Sequence, residues 1–330
     1  MRFLAPLFPE KTNLAEPIGE VWLTGVDCKV ATGPFAGKTL GEAWREMPPE
    51  WRGTRFAGAG DFPLLIKFIF PNDKLSIQVH PDDAYAAAHE QAAGGRGKTE
   101  MWHIISAEPS ARVLIGLVPK ADREKFVKAV EAQTLEEIFI HWRVQLGDTF
   151  FVPAGTPHTI GPGMVLCEIQ EYSDLTYRIY DYGRVDAHGK PRELHIEKAL
   201  DVIQFGRPIL GKASRLPLPS HGSRKELLAA CPHFATERWK IITPMENPSN
   251  PEHLDLLVVL TGGGDFAWSN KSARYQCGEC WLIPAGSEKF AVNPTEPTKV
   301  LSTYVPDLAA LRARLEQSHS WREVEKTVFE

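Results

Sequence analysis

The chain has 330 residues, 43% of them hydrophobic and 24% charged, with a formal net charge of -5. That is enough for one large or two medium domains of ordinary globular composition. The lack of a broad basic field argues against a nucleic-acid partner, and an anionic ligand would need a local cluster of Lys and Arg.

No stretch approaches about 18 consecutive apolar residues, so no membrane span is expected. The opening residues lack the apolar run of an export signal. Five scattered cysteines then read as reduced thiols, and a cytoplasmic location is expected. Cys277 and Cys280 form an isolated CxxC. It reads as two small residues on a strand, because no second CxxC and no thioredoxin-like pattern accompany it.

Residues 1–60 are rich in Pro, Gly and Trp and read as irregular, with one helix over 39–47 ended by Pro48 and Pro49. FPLLIKFIF at 62–70 reads as a strand, and the alternating KLSIQVH at 74–80 as a second. Residues 82–91 read as a helix capped by Asp82 or Asp83. Gly94–Gly97 is a loop, and strands follow at 99–106 and 111–118. Residues 120–139 have helical periodicity, and strands return from 143 to about 179. Helices are expected at 192–205 and 223–230, strands from about 233 to 304, and a charged amphipathic helix at 306–329, broken near 318–320. Many short strands with a few helical insertions favour an all-β fold over a doubly wound α/β one.

One pattern occurs twice. GDTFFVPAGTPH at 147–158 and GECWLIPAGSEK at 278–289 share a Gly, five residues, Pro, any residue, Gly, two residues and a twelfth position. The first Gly turns the chain into a buried apolar strand, and Pro-Ala-Gly turns it at the strand end. The twelfth residue is His158 in the first copy and Lys289 in the second. This spacing resembles the second motif of the cupin family of jelly-roll barrels. The resemblance implies two cupin-like barrels with helical insertions and a C-terminal helix. The expected division is a metal-binding domain over 1–190, a helical connector over 191–232, and a degenerate second barrel with the terminal helix over 233–330.

Metal ligands in such a barrel come from an earlier strand pair as well. Gln78 and His80 are two apart on a strand and share a face. Glu100 opens the next strand, after the glycine loop, and His158 completes a set of two imidazoles, a carboxylate and an amide. His103 points to the opposite face. The remaining histidines, including His195, His221 and His253, read as surface or supporting residues. The set suits one Zn²⁺ per chain, with Mn²⁺, Co²⁺ or Fe²⁺ as other occupants. Two His and one carboxylate also suit a non-heme iron oxygenase, and a cupin that only binds sugar is a further alternative.

PIGEVWLTG at 17–25, LSIQVHPDD at 75–83, GKTEMWHII at 97–105, PAGTPHTIGPG at 153–163 and SDLTYRIYDYGR at 173–184 occur in that order. Together they resemble the type I mannose-6-phosphate isomerases, particularly the short bacterial form. The resemblance implies a zinc-dependent aldose-ketose isomerase that interconverts mannose 6-phosphate and fructose 6-phosphate through an enediol. It implies Gln78, His80, Glu100 and His158 as ligands, and Lys98, Arg178 and Asp174 as active-site residues. Ser76 would line the pocket near the phosphate. Gly97 departs from longer members, many of which have His there. The chemistry fits these residue types: a cation and fixed donors stabilise an enediolate, and Arg and Lys hold phosphate. Arg178 is expected at the enediolate or phosphate, Lys98 at O1, O2 or the ring oxygen, and Asp174 at ring opening or orienting Arg178. Arg184 could add positive charge. A monomer or homodimer acting on a small sugar phosphate is expected.

Overall fold

The structure, a computed structural model, describes every residue except 1–6, 9–17, 57–59, 186–187, 210, 221–222 and 248–249. The irregular reading of 1–60 falls partly outside the described residues, as do Pro17 and His221. The chain is mostly sheet, 37% strand and 18% helix. Among the described residues no helix is long and apolar enough to cross a membrane.

In chain order, β1 (Glu20–Trp22) precedes α1 (Leu40–Glu46), α2 (Pro49–Arg52), β2 (Leu64–Ile69), β3 (Ile77–Val79) and α3 (Asp83–His89). Then come β4 (Glu100–Ala107), β5 (Arg112–Leu117), α4 (Arg123–Glu131), β6 (Phe139–Arg143), β7 (Thr149–Val152), β8 (His158–Ile160), β9 (Met164–Glu171), β10 (Tyr177–Tyr180) and α5 (Ile196–Val202). The rest holds β11 (Leu216–Leu218), β12 (Ser223–Ala230), β13 (Ala235–Ile241), β14 (Met245–Asn247), β15 (Asp255–Thr261) and β16 (Gly263–Trp268). It continues with β17 (Lys271–Gln276), β18 (Cys280–Ile283), β19 (Phe290–Pro294), β20 (Thr298–Tyr304), α6 (Leu308–Glu316) and α7 (Trp321–Val324). Local chemistry sets the helix starts. Thr39 and Glu42 form a capping box on α1, and Asp82 accepts the Tyr85 N–H at the start of α3.

Contacts divide the chain into two units. One comprises Gly19–Val21 and Lys67–Lys212; the other comprises Trp22–Ile66, Ala213–Glu330 and the described part of Met1–Ile18. The first unit has two sheets, of strand order β1-β2-β9-β4-β7 and β10-β3-β8-β5-β6. Their inner faces meet in a core of Trp102, Ile104, Val113, Ile115, Phe150, Ile160 and Leu166. The outer face of the second sheet is covered by helices: Ile77, Val79, Tyr177 and Ile179 pack with Phe126 and Ala129 of α4 and with Ala199 and Leu200 of α5. Burying a side chain such as Phe126 stabilises the unit by roughly 1.5–3 kcal/mol. Because Ile77 and Val79 face the helices, the period of two sends Ser76, Gln78 and His80 inward.

The second unit also has two sheets, β11-β12-β13-β20-β15-β18 and β14-β19-β16-β17. Between them lie Trp239, Leu257, Val259, Phe266, Tyr275, Phe290 and Val300. Leu311 and Leu315 of α6 and Val324 of α7 pack with Leu216, Leu227 and Ala235. The strand orders of the two units correspond: β2-β9-β4-β7 matches β13-β20-β15-β18, and β3-β8-β5-β6 matches β14-β19-β16-β17. The sequence repeat sits at corresponding places. Gly147 and Gly278 have φ of 82° and 88°, and Gly155 and Gly286 have 79° and 61°, so all four use the left-handed region that glycine tolerates.

Three expectations need correction. No closed barrel forms among the described residues; open sheets pack face to face instead. Residues 223–230 form strand β12, paired with β11 and β13, although SRKELLAA is rich in helix formers. Burial of Glu226–Ala230 between two partners outweighs local propensity. The 191–232 connector is accordingly mixed, with α5, β11 and β12. Finally, the helix expected to run to residue 139 ends at Glu131, and Phe139–Arg143 is a strand paired with β5. The break expected near 318–320 is present between α6 and α7.

Candidate metal centre

The site lies between the two sheets of the first unit. In the second sheet, Arg178, Gln78 and His158 stand in register across β10, β3 and β8, so their side chains share one face. In the first sheet, Glu100 is opposite Gln170, Trp102 opposite Glu168, and Ile104 opposite Leu166. The inner face thus runs from apolar to polar toward Glu100.

His80, Glu100 and His158 are buried, and their ligand atoms lie within 4.8 Å of one another. His158 Nε2 is 3.2 Å from Glu100 Oε1, and His80 Nε2 is 3.7 Å from Glu100 Oε2. Donors about 2.1 Å from a tetrahedral ion stand about 3.4 Å apart, so the spacing fits one. The tautomers fit as well. His80 Nδ1–H donates to the Leu175 carbonyl at 2.9 Å and His158 Nδ1–H to that of Thr156 at 2.8 Å, leaving both Nε2 lone pairs inward. Glu100 is fully buried, with the Lys98 ammonium 3.0 Å from its Oε2 and the two imidazole Nε2 atoms facing its carboxylate. A buried carboxylate of this kind calls for a cation.

Gln78 is nearby but turned. Its Nε2 is 3.3 Å from His158 Nε2, and its Oε1 is 3.5 Å from Ser76 Oγ. Ligation through oxygen requires the amide to turn over, a change that preserves its shape. Lys98 is buried rather than a loop lysine in water. Its Nζ is 3.0 Å from Glu100 Oε2 and 3.2 Å from His80 Nε2.

The electrostatics suit cation binding. Burial, then the Lys98 ammonium and His158, hold His80 well below its usual pKa. Burial brings His158 down to about 4, against the pull of the Thr156 carbonyl. Burial and the Glu168 charge push Glu100 up to about 7, against Lys98. Both imidazoles are therefore neutral at ordinary pH, the form a metal ion requires.

Arg178 is half-buried. Its Nη1 donates to the Glu193 carbonyl at 3.1 Å, and its buried Nε meets no acceptor among the described residues. Burial, then Arg192, lower its pKa, with Asp181 opposing and Arg184 adding to the effect. Asp181 accepts from Arg192 at 2.5 and 2.7 Å and also binds Arg184. One carboxylate is thus shared by two guanidiniums beside a third. Asp174 is exposed, and among the described residues no hydrogen bond or ion pair joins it to Arg178. The expectation that it orients Arg178 is corrected: the Glu193 carbonyl and strand pairing do so.

His253, read as a surface or supporting residue, is buried and stacked on Tyr304 at 4.1 Å. His103 faces away from the site, with Nδ1 3.0 Å from Thr149 Oγ1. Lys289 is exposed and ion-paired with Glu246. Burial raises Cys277 to about 11 and Cys280 to about 12, which disfavours thiolate chemistry.

Sequence reasoning missed several site residues. Lys67 Nζ is 3.0 Å from Glu168 Oε1, and Trp102 Nε1–H donates to Glu168 Oε2 at 3.0 Å. Burial works against Glu168's charge, but Lys67 and Lys98 together more than offset it, and the carboxyl lies below its usual value. A signal was present: FPLLIKFIF and MVLCEIQE each hold an ionisable residue amid apolar ones, and a buried charge needs a partner. Arg192 and Asp181 carried no comparable local signal.

A family model described as phosphomannose isomerase type I, catalytic domain, matches residues 3–105. A mannose-6-phosphate isomerase of Streptococcus mutans is 34% identical over 275 residues, 82% of this chain and 84% of that protein. The crystal structure of the mannose 6-phosphate isomerase from Bacillus subtilis aligns with TM-score 0.80 and 28% identity, over 91% of this chain and 94% of that one. A mannose 6-phosphate isomerase solved with zinc bound shares the fold, with TM-score 0.70 and 16% identity, over 92% and 94% of the two chains. With these relatives in sequence and fold, the chain belongs to the type I phosphomannose isomerase family.

Proposed function

We propose that this chain interconverts mannose 6-phosphate and fructose 6-phosphate with one zinc ion held by Gln78, His80, Glu100 and His158. The convergence of two outward-anchored imidazoles on a buried carboxylate carries the reading. When bound, the cation supplies Lewis-acid stabilisation to the sugar oxygens as negative charge develops. In the reaction a proton leaves C2 and one arrives at C1, with no other reactant consumed.

The chain's own residues do the rest. Lys98, buried beside Glu100, donates to O1, O2 or the ring oxygen and offsets enediolate charge. Arg178, in register with Gln78, carries positive charge from the metal ligands toward the Arg184–Asp181–Arg192 group. That group, with Ser76, holds the phosphate; three guanidiniums against one carboxylate leave net positive charge for it. Phosphate binding then fixes the sugar for reaction. Asp174, on the exposed edge, assists ring opening. We assign catalysis to residues 1–190 and a structural role to the second copy over 233–330. A cytoplasmic monomer or homodimer completes the reading.

The test is a coupled assay for fructose 6-phosphate formed from mannose 6-phosphate. It is run before and after chelation, and again after adding back Zn²⁺, Mn²⁺, Co²⁺ or Fe²⁺. Turnover that persists once the metal is shown to be gone refutes the mechanism. Best recovery with an ion other than zinc reassigns the cofactor.

A further inference from the structure

The segment leading into Glu100 is held at each of three consecutive N–H groups. Gly97 N–H donates to Asp83 Oδ1 at 2.8 Å, Lys98 N–H to the Pro81 carbonyl at 3.1 Å, and Thr99 N–H to Glu171 Oε1 at 2.7 Å. The Asp83 and Glu171 carboxyls lie side by side, with oxygen atoms within 4.8 Å of each other. The other side of the backbone is held too: Glu171 N–H donates to the Thr99 carbonyl at 3.1 Å, and Ser173 Oγ to the Arg96 carbonyl at 3.0 Å.

Gly97 explains how close this contact is. A Cβ there would lie 2.6 Å from Asp83 N and 2.7 Å from Asp82 C, both backbone atoms that cannot swing aside. The chain therefore rests directly on the start of α3. A lysine has four rotatable side-chain bonds, so its ammonium can be aimed only if its backbone is fixed. The preceding Gly94 and Gly95 have φ of 92° and 61°, and such a glycine-rich turn does not restrain Lys98 by itself.

We infer that Asp83 and Glu171 are positioning residues for Lys98: the two carboxyls clamp residues 97–99 and so aim the Lys98 ammonium at Glu100 and His80. The inference rests on the functional reading above for its effect on turnover. Glu100 itself is independently anchored by β4 pairing with both β7 and β9. Loss of the clamp therefore disturbs Lys98 and spares the metal ligands.

The experiment uses the metal-loaded full chain and the variants Glu171→Ala, Glu171→Gln, Asp83→Ala and Asp83→Asn. Asp82, not Asp83, caps α3, so the exposed Asp83→Ala keeps the helix start and carries the test should Glu171→Ala fail to fold. Hydrogen exchange of the 97–99 amides should quicken at least about tenfold in the alanine variants. Their kcat should fall roughly 10–100-fold, with KM within about threefold and metal content unchanged. Glu171→Gln, which can accept from Thr99 and donate to Asp83, should restore protection and most of kcat. Unchanged exchange in the alanine variants overturns the inference, as does joint loss of metal and activity, or a Gln variant as impaired as Ala. Should wild-type protein fail to isomerise mannose 6-phosphate, the functional reading falls, while the exchange data still decide the clamp.

Discussion

Acidification should weaken divalent-metal binding through a single proton. In the metal-free protein Glu100 is pushed up to about 7 by burial and the Glu168 charge, whereas His158 is down to about 4 and His80 lies well below its usual value. A ligating carboxylate must be ionised and a ligating imidazole neutral. Between pH 5 and 7, then, only the Glu100 proton competes with the ion. Below about pH 7 the ionised fraction of Glu100 falls about tenfold per pH unit. The association constant should therefore be flat above about pH 7.5 and fall about tenfold, or 1.4 kcal/mol, per pH unit below 7. Competition against a chromophoric chelator, calibrated at each pH from 5 to 8.5, measures it for Zn²⁺ and Mn²⁺. A flat profile from pH 5 to 7 would show that Glu100 stays ionised without metal. A slope of two would show that an imidazole titrates in that window. Either result refutes the burial argument.

Three further outcomes are expected. Lys67→Met should destabilise the first unit by about 3–5 kcal/mol by stranding Glu168, while the Lys67→Met/Glu168→Leu double variant recovers most of it in urea unfolding; equal losses would mean that the ion pair is not the cause. Gly155→Ala should cost about 1–2 kcal/mol in backbone strain alone, and more because its Cβ would lie 2.8 Å from the Val202 carbonyl oxygen. Because the Gly155 N–H donates to the His80 carbonyl at 2.8 Å, metal titration should show weakened binding too. Gly286→Ala, with open space around it, should show only the strain in thermal unfolding and keep full metal affinity. His158→Ala should lose bound zinc by elemental analysis, whereas the exposed Lys289→Ala should retain it.

Much of the site was legible because it depends on local rules. The period of two along KLSIQVH is enough to put Gln78 and His80 on one face, and Ile77 and Val79 do turn the other way, into the helix-covered core. The two Gly-to-Pro-Ala-Gly repeats announce left-handed glycines at fixed spacing, and they occur at matching strands of the two units. The helix starts near 39 and 82 were readable for the same reason, and Thr39 and Asp82 are their caps. SRKELLAA misled because its residues favour a helix, yet β11 and β13 capture it as a strand.

By itself, then, the amino-acid order determined the mainly β class, the duplicated motif and the face on which the histidines lie, because backbone preference and side-chain alternation travel with a short segment. Only tertiary structure decided that Lys67 meets Glu168, that Arg192 joins Asp181, and that Asp83 and Glu171 clamp the approach to Glu100. Those partners come from separate strands and loops. Their meeting depends on the packing that excludes water around them, and no local pattern encodes it.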